Sequence, residues 1–262
     1  MKPTLAAEPF VWGGMPHIFA ILFLAVLAAG LVWCGRNLRG GQVQVWLSRV
    51  FALAILFVQG AMQIETMLPQ NWTIEYSVPL QLCDLAWMVA VYALWTRERG
   101  AASVLYYWGL TLTTQGIITP HLDVEFPSFE FIMFFYGHGA VVLAAIYLTW
   151  GVGLQPGWID YRRTLAATVV WGVSVFTFNS LLGTNYGYLN HKPPMPSALD
   201  FLGPYPMYLV SELTLATIIW SLMTWAWTRD GKHRDAAQSP LRARSARFDA
   251  TRDPRPVPSE TA

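Results

Sequence analysis

The run Val78-Pro79-Leu80-Gln81-Leu82-Cys83-Asp84-Leu85-Ala86-Trp87-Met88-Val89-Ala90-Val91-Tyr92-Ala93-Leu94-Trp95 is about as long as a bilayer is thick. A thiol and a carboxylate stand near its start. Six further runs resemble it, and together they read as spans at about 15–35, 46–67, 79–95, 101–118, 129–150, 164–184 and 206–227. A spanning helix needs roughly 17–25 mostly apolar residues. A soluble core uses a few such runs, not seven divided by short polar punctuation. The composition agrees: 54% of the 262 residues are hydrophobic, 13% are charged, and 15% are the aromatic residues favoured at membrane interfaces. The sequence therefore predicts an all-α, multi-pass membrane bundle of seven helices in the cell membrane.

Charge sorting gives the orientation. With seven spans, Arg36, Arg39, Arg49, Arg97, Arg99, Arg162, Arg163 and the basic residues of the carboxyl-terminal tail fall on one side. Only Lys2 and Lys192 fall on the other, so the split is 15 against 2. The excess of Lys and Arg marks the cytoplasmic side, which puts the amino terminus outside. Residues 1–228 read as one membrane domain. The segment 229–262, rich in Arg, Ala, Ser, Asp and Pro without apolar periodicity, reads as a disordered basic cytoplasmic tail. No cleavable signal peptide is expected, because the basic region before the first apolar run is a single Lys2 followed by Glu8.

Polar groups within the spans gather in their outer halves. They are Gln59, Gln63 and Glu65, then Cys83 and Asp84, then Thr111, Thr114 and Gln115, then His138, Asn179 and Glu212. Gln59 and Gln63 are four apart, as are Thr111 and Gln115, so each pair shares a helix face. Singly, such residues are ordinary interhelical hydrogen-bonding groups. Gathered in one leaflet, they point to a water-accessible cavity opening outward. The outer loops are long and contain several prolines; 185–205 holds Lys192 and Asp200, and irregular chain of that length is usually functional.

Within the set, Cys83 and His138 form the chemical pair. An imidazole beside a thiol can take its proton and later protonate a leaving group. The plain alternatives are a small buried hydrophobe for the cysteine and an interhelical hydrogen bond for the histidine. Cys34 lies a leaflet away from Cys83, beyond the ~7 Å limit on Cα separation for a disulfide, so both thiols are expected to be free. His121, Asp123, Glu125, His138 and His191 share the outer side without metal-ligand spacing, so neither metal nor cofactor is expected. No phosphate-cradling glycine loop, serine-hydrolase elbow or nucleic-acid signature occurs.

Several stretches resemble the YwaF-like bacterial integral membrane family, related to animal transmembrane protein 164. They are Pro79 to Asp84, Thr119-Pro120 with Phe126-Pro127, Phe134 to Gly139, and Gly183 to Leu189. Lys192-Pro193, Leu199-Asp200 and Gly203 to Pro206 continue the pattern in order. The resemblance covers nearly all of residues 10–227. It departs at Tyr205, where the family often has Trp. It implies a seven-helix protein, and in the animal relatives acyl transfer on phospholipids through a cysteine acyl-enzyme with a histidine partner. The more distant androgen-induced-gene-1 hydrolases use a threonine and a histidine. By motif position, Cys83 is the nucleophile and His138 the base.

The expectation is a membrane-embedded acyltransferase or lipid hydrolase acting on phospholipid acyl esters at the outer leaflet. Phospholipid or lysophospholipid is its partner. Asp84, Asn179 and Tyr186 are candidates to orient the base or stabilise an oxyanion. Gln63, Gln115, Lys192, Asp200 and Glu212 are candidate substrate contacts, Lys192 as a point charge for a phosphate. The rival is a non-catalytic transporter or binder of a small ligand in the same cavity, although seven spans lack the paired inverted halves common in transporters.

Overall fold

Several charged residues at the edges of the apolar runs, Arg36, Arg99, Asp160, Arg162 and Arg163, lie in helix ends rather than loops. The computed structural model describes residues 8–193 and 197–229. Among the described residues, besides two short 3-10 turns, seven long helices follow one another: α1 Met15–Asn37, α2 Gln42–Met67, α3 Leu82–Thr96, α4 over 99–118, α5 Phe129–Val152, α6 Trp158–Leu182 and α7 Met207–Thr228. Among the described residues there is no strand, only an isolated bridge between Pro9 and Val124. α6 begins six residues before its apolar run, because Asp160 accepts the Gly157 N–H at 2.8 Å and so caps the first turn. The tail expected from Arg229 lies, apart from Arg229 itself, outside the described residues.

Among the described residues five helices, α1, α2, α5, α6 and α7, are long and apolar enough to cross a membrane. α3 is apolar but has 15 residues, about 22 Å at 1.5 Å per residue, against a hydrocarbon core of ~30 Å. α4 is continuous but changes pitch: a π-helical stretch, Trp108–Thr113, joins Arg99–Tyr107 to Thr114–Ile118. There the Gly109 carbonyl accepts from both the backbone N–H and the hydroxyl of Thr114, the latter at 2.9 Å.

α5 is the central helix. Of its apolar window 61% is buried, against 6% for α1 and 11% each for α6 and α7. The outer helices turn large apolar side chains outward, Phe19, Phe57, Val170 and Leu181 among them, as a lipid-facing surface requires. Small residues mediate the close contacts inside. Ala86, Ala90, Ala93, Ala102, Ala140, Ala144 and Ala145 are buried, and a Cβ on Gly35 would lie 2.7 Å from the Gly151 Cα.

One end of the bundle is closed by arginines. Arg39 Nε donates to the Gly151 carbonyl at 2.8 Å and Arg36 Nε to the Trp150 carbonyl at 3.2 Å. These carbonyls end α5, where the helix leaves acceptors without partners and favours positive charge. Gln44 bridges the Gly35 carbonyl and Arg97, at 2.8 and 3.0 Å. Arg99 Nε pairs with Asp160 at 3.1 Å, joining the starts of α4 and α6. The loops that the charge pattern assigns to one side thus do meet at one end of the molecule.

Candidate functional site

At the opposite end, two loops fix the start of α3. Tyr186 is fully buried; its hydroxyl donates to the Ile74 carbonyl at 2.7 Å and accepts the Val78 N–H at 3.1 Å. Burial pushes its phenol above the ordinary value, so it keeps the proton it donates. Asn179 holds Tyr186 in turn, donating to its carbonyl and accepting its N–H, both at 2.9 Å, while also accepting from the Thr184 hydroxyl at 2.8 Å. Gly187 donates to the Gln81 side chain at 2.8 Å. Its φ of +65° and the Trp171 ring, 2.7 Å from where a Cβ would stand, leave room for glycine alone. Trp171 donates to the Leu80 carbonyl at 3.1 Å. α3 then starts at Leu82, with Asp84 Oδ2 accepting the Gln81 N–H at 3.1 Å.

This framework puts Cys83 in the first turn of α3, exposed, with its walls shared by two cavities. The first, about 430 Å³, is also lined by Gln59, Gln63, Glu130, Phe134 and His138. The second, about 520 Å³, is lined chiefly by apolar side chains of α4, α6 and α7, with Gln115, His121 and Glu212 among them. Neither lining contains a lysine or arginine.

His138 stands on α5 with its ring held on three sides. Nδ1 lies 3.0 Å from the Phe134 carbonyl, which can only accept, so Nδ1 carries the proton. The Phe134 ring stacks on the imidazole at 4.1 Å between centroids. From α4, Gly116 lies so close that a Cβ there would sit 2.9 Å from His138 Cδ2 and 3.2 Å from Nε2. In the neutral ring Nε2 then carries the lone pair, the form a base needs. No hydrogen bond joins it to Cys83 in this structure, although both side chains face the first cavity.

The other expected site residues divide into two groups. Gln63 lines the first cavity, donating to Thr66 Oγ1 at 3.2 Å and the Ser77 carbonyl at 3.0 Å. Gln115 and Glu212 line the second. Asp84 also faces the first cavity, but one of its oxygens is engaged in capping α3. Asn179 and Tyr186 line neither cavity, and their hydrogen bonds build the loop beneath Cys83. Lys192 pairs with Asp200 at 3.3 Å and lies over the Tyr208 ring, outside both linings. Two residues absent from the expected site belong to it. Gly116 shapes the seat of His138, and Gln59 of α2 lies over Gly137. Gln59 announces itself in the sequence as the partner of Gln63 on one helix face; Gly116 carries no signal beyond following Gln115. Among the described residues no three His, Cys, Asp or Glu side chains approach as a metal set.

The family model that matches this sequence is that of the TMEM164 family, over residues 12–224. The chain belongs to the TMEM164 family. No curated protein and no solved structure matches it. The matched stretch runs from before α1 into α7, so six helices, all of α7 but its last four residues, and the residues lining the two cavities lie within the TMEM164 region. With the family and its five long apolar helices, the chain is a multi-pass membrane protein.

Proposed function

We propose that the chain crosses the membrane seven times, with the arginine-closed end in the cytoplasm, and transfers or hydrolyses phospholipid acyl groups through Cys83. An acyl ester enters between helices with its carbonyl carbon at the Cys83 sulfur. His138 Nε2 takes the thiol proton, and the thiolate attacks to form a tetrahedral oxyanion. Collapse expels the lysolipid oxygen, which takes the proton back from His138, and leaves an acyl thioester on Cys83. A second hydroxyl, from lysolipid or water, gives its proton to His138, attacks the thioester and returns the thiol. The meeting of two cavities at the sulfur suits this division, one taking the acyl chain and the other the acceptor.

One observation carries the reading: an exposed thiol and an imidazole with a free Nε2 lone pair line the same cavity. The absence of a hydrogen bond between them favours the second reading, a cavity that holds a small ligand without chemistry. A long-chain thiol-reactive electrophile separates the two. On the catalytic reading it labels Cys83 ahead of Cys34, and His138→Ala slows labelling while leaving the thiol in place. Equal labelling of the two cysteines, unaffected by His138→Ala, favours the binder.

A further inference from the structure

The acyl-transfer reading needs a donor for the oxyanion, and the first candidates are engaged elsewhere. Asn179 gives its side-chain N–H to Tyr186, and Tyr186 gives its hydroxyl to Ile74; neither reaches a cavity. The first cavity does contain one side-chain amide with no hydrogen bond at all. Gln59 enters it from α2, across the glycine next to His138, and a Cβ on Gly137 would lie 2.8 Å from Gln59 Nε2. Its Oε1 is buried without a partner, so no donor ties up the acceptor side of the group. The neighbouring Gln63 is different, with its amide N–H groups held by Thr66 and Ser77. A buried carbonyl oxygen without a partner is an expensive arrangement for a protein to keep. Keeping the amide becomes favourable when a charge develops beside its N–H in a water-poor site.

We infer that Gln59 is a catalytic residue, whose Nε2–H donates to the acyl oxygen as the Cys83 thiolate adds to the carbonyl. As the sulfur–carbon bond forms, the carbonyl π pair moves onto oxygen, where Gln59 holds it until collapse restores the double bond and expels the leaving oxygen. Gly137 is part of the device, because a side chain there would displace the amide. This rests on the acyl-transfer reading above, and the test keeps the two apart.

Full-length protein in lipid nanodiscs is treated with two long-chain probes. A p-nitrophenyl fatty ester acylates a thiol through an oxyanion. An alkyl methanethiosulfonate modifies the same thiol by displacement at sulfur, with sulfinate leaving and no oxyanion formed. Gln59→Leu, which keeps bulk and removes the donor, should slow acylation ~10²–10³-fold and leave thiosulfonate labelling of Cys83 unchanged. Gly137→Ala, which keeps the glutamine but moves its amide, should show the same selectivity with a smaller loss. Equal loss with both probes in both variants would make Gln59 a packing residue and overturn the inference; so would unchanged acylation. Wild-type ester turnover by Cys83→Ala would remove the acyl-enzyme itself, a failure of the parent reading that takes the role of Gln59 with it.

Discussion

The two ends of the bundle use polar side chains in opposite ways. At the arginine end, the groups that join the loops are matched: Arg36 and Arg39 on the last carbonyls of α5, Gln44 between Gly35 and Arg97, Arg99 on Asp160; the unpartnered atoms there, Arg49 Nε, Thr149 Oγ1 and Thr164 Oγ1, are buried and line neither cavity. Gly35 and Gly151 close the gap between backbones. At the cavity end the supporting loops are equally well matched, through Tyr186, Asn179 and Gln81, but the groups facing the cavities are not. His138 Nε2 and the Gln59 amide have no protein hydrogen bond, and the Cys83 thiol has none to another residue. Partnered groups beneath and available groups lining a cavity are what a site held for chemistry requires, whereas the unpartnered atoms of the arginine end open on neither cavity.

The contrast predicts effects of different kinds at the two ends. The largest belongs to the cavity. His138→Ala should lower the rate of Cys83 acylation ~10²–10⁴-fold without changing the thermal midpoint, measured on the same nanodisc preparation. A loss of rate that tracked a loss of fold would erase the distinction. At the closed end the effect should be on stability alone. Gly35→Ala places a Cβ against the Gly151 backbone, which cannot swing aside as a side chain can, and should destabilise by about 1–3 kcal/mol with unchanged acylation per folded molecule. Asp160→Ala removes the cap of α6 and should cost about 0.5–2 kcal/mol. Little of that comes from Arg99, whose side chain is 57% exposed. Replacing Arg99 by Gln instead should therefore do less, a ranking that denaturation of both variants would check.

The smallest effect concerns the loop at the cavity mouth. The Ser197 N–H first, and Lys192 beside it, hold the Asp200 carboxyl below its ordinary value. A depressed folded value contributes order that is fully present above the ordinary carboxylate range and is lost as pH falls through the lowered one. Limited proteolysis at Ala198–Leu202 should therefore be faster in Asp200→Asn than in wild type at neutral pH. The difference should vanish in acid, where the wild-type carboxyl is itself protonated.

Much of this architecture is legible in the chain, and the failures have physical causes. Apolar runs locate the seven long helices among the described residues, because helices that pack in an apolar bundle are themselves apolar over most of their length. They misplace ends. Asp160, Arg162 and Arg163 interrupt the run before α6 yet lie inside the helix, since a cap wants an acid and the first turn reaches the interface. Val78, Pro79 and Leu80 extend the run before α3 yet lie outside it, held by Tyr186 and Trp171. Cys83 and His138 stand out because a thiol and an imidazole are unusual in an apolar run. Asn179 and Tyr186 look equally suited to chemistry, but their loop bonds depend on residues distant in sequence, such as Ile74 and Val78, which no local pattern reveals. The closeness of Gly116 to His138 is likewise a product of how α4 and α5 pack.

The central claim, that Cys83 carries the acyl group, is tested most directly by looking for that bond. Purified full-length protein is incubated with a phospholipid labelled in its acyl chain, quenched in acid and analysed for label on the protein. A hydroxylamine-sensitive thioester should appear on Cys83 in the wild type and be absent from Cys83→Ala, which deletes one sulfur and should keep the fold. Turnover of the labelled lipid by Cys83→Ala at the wild-type rate would contradict the covalent mechanism.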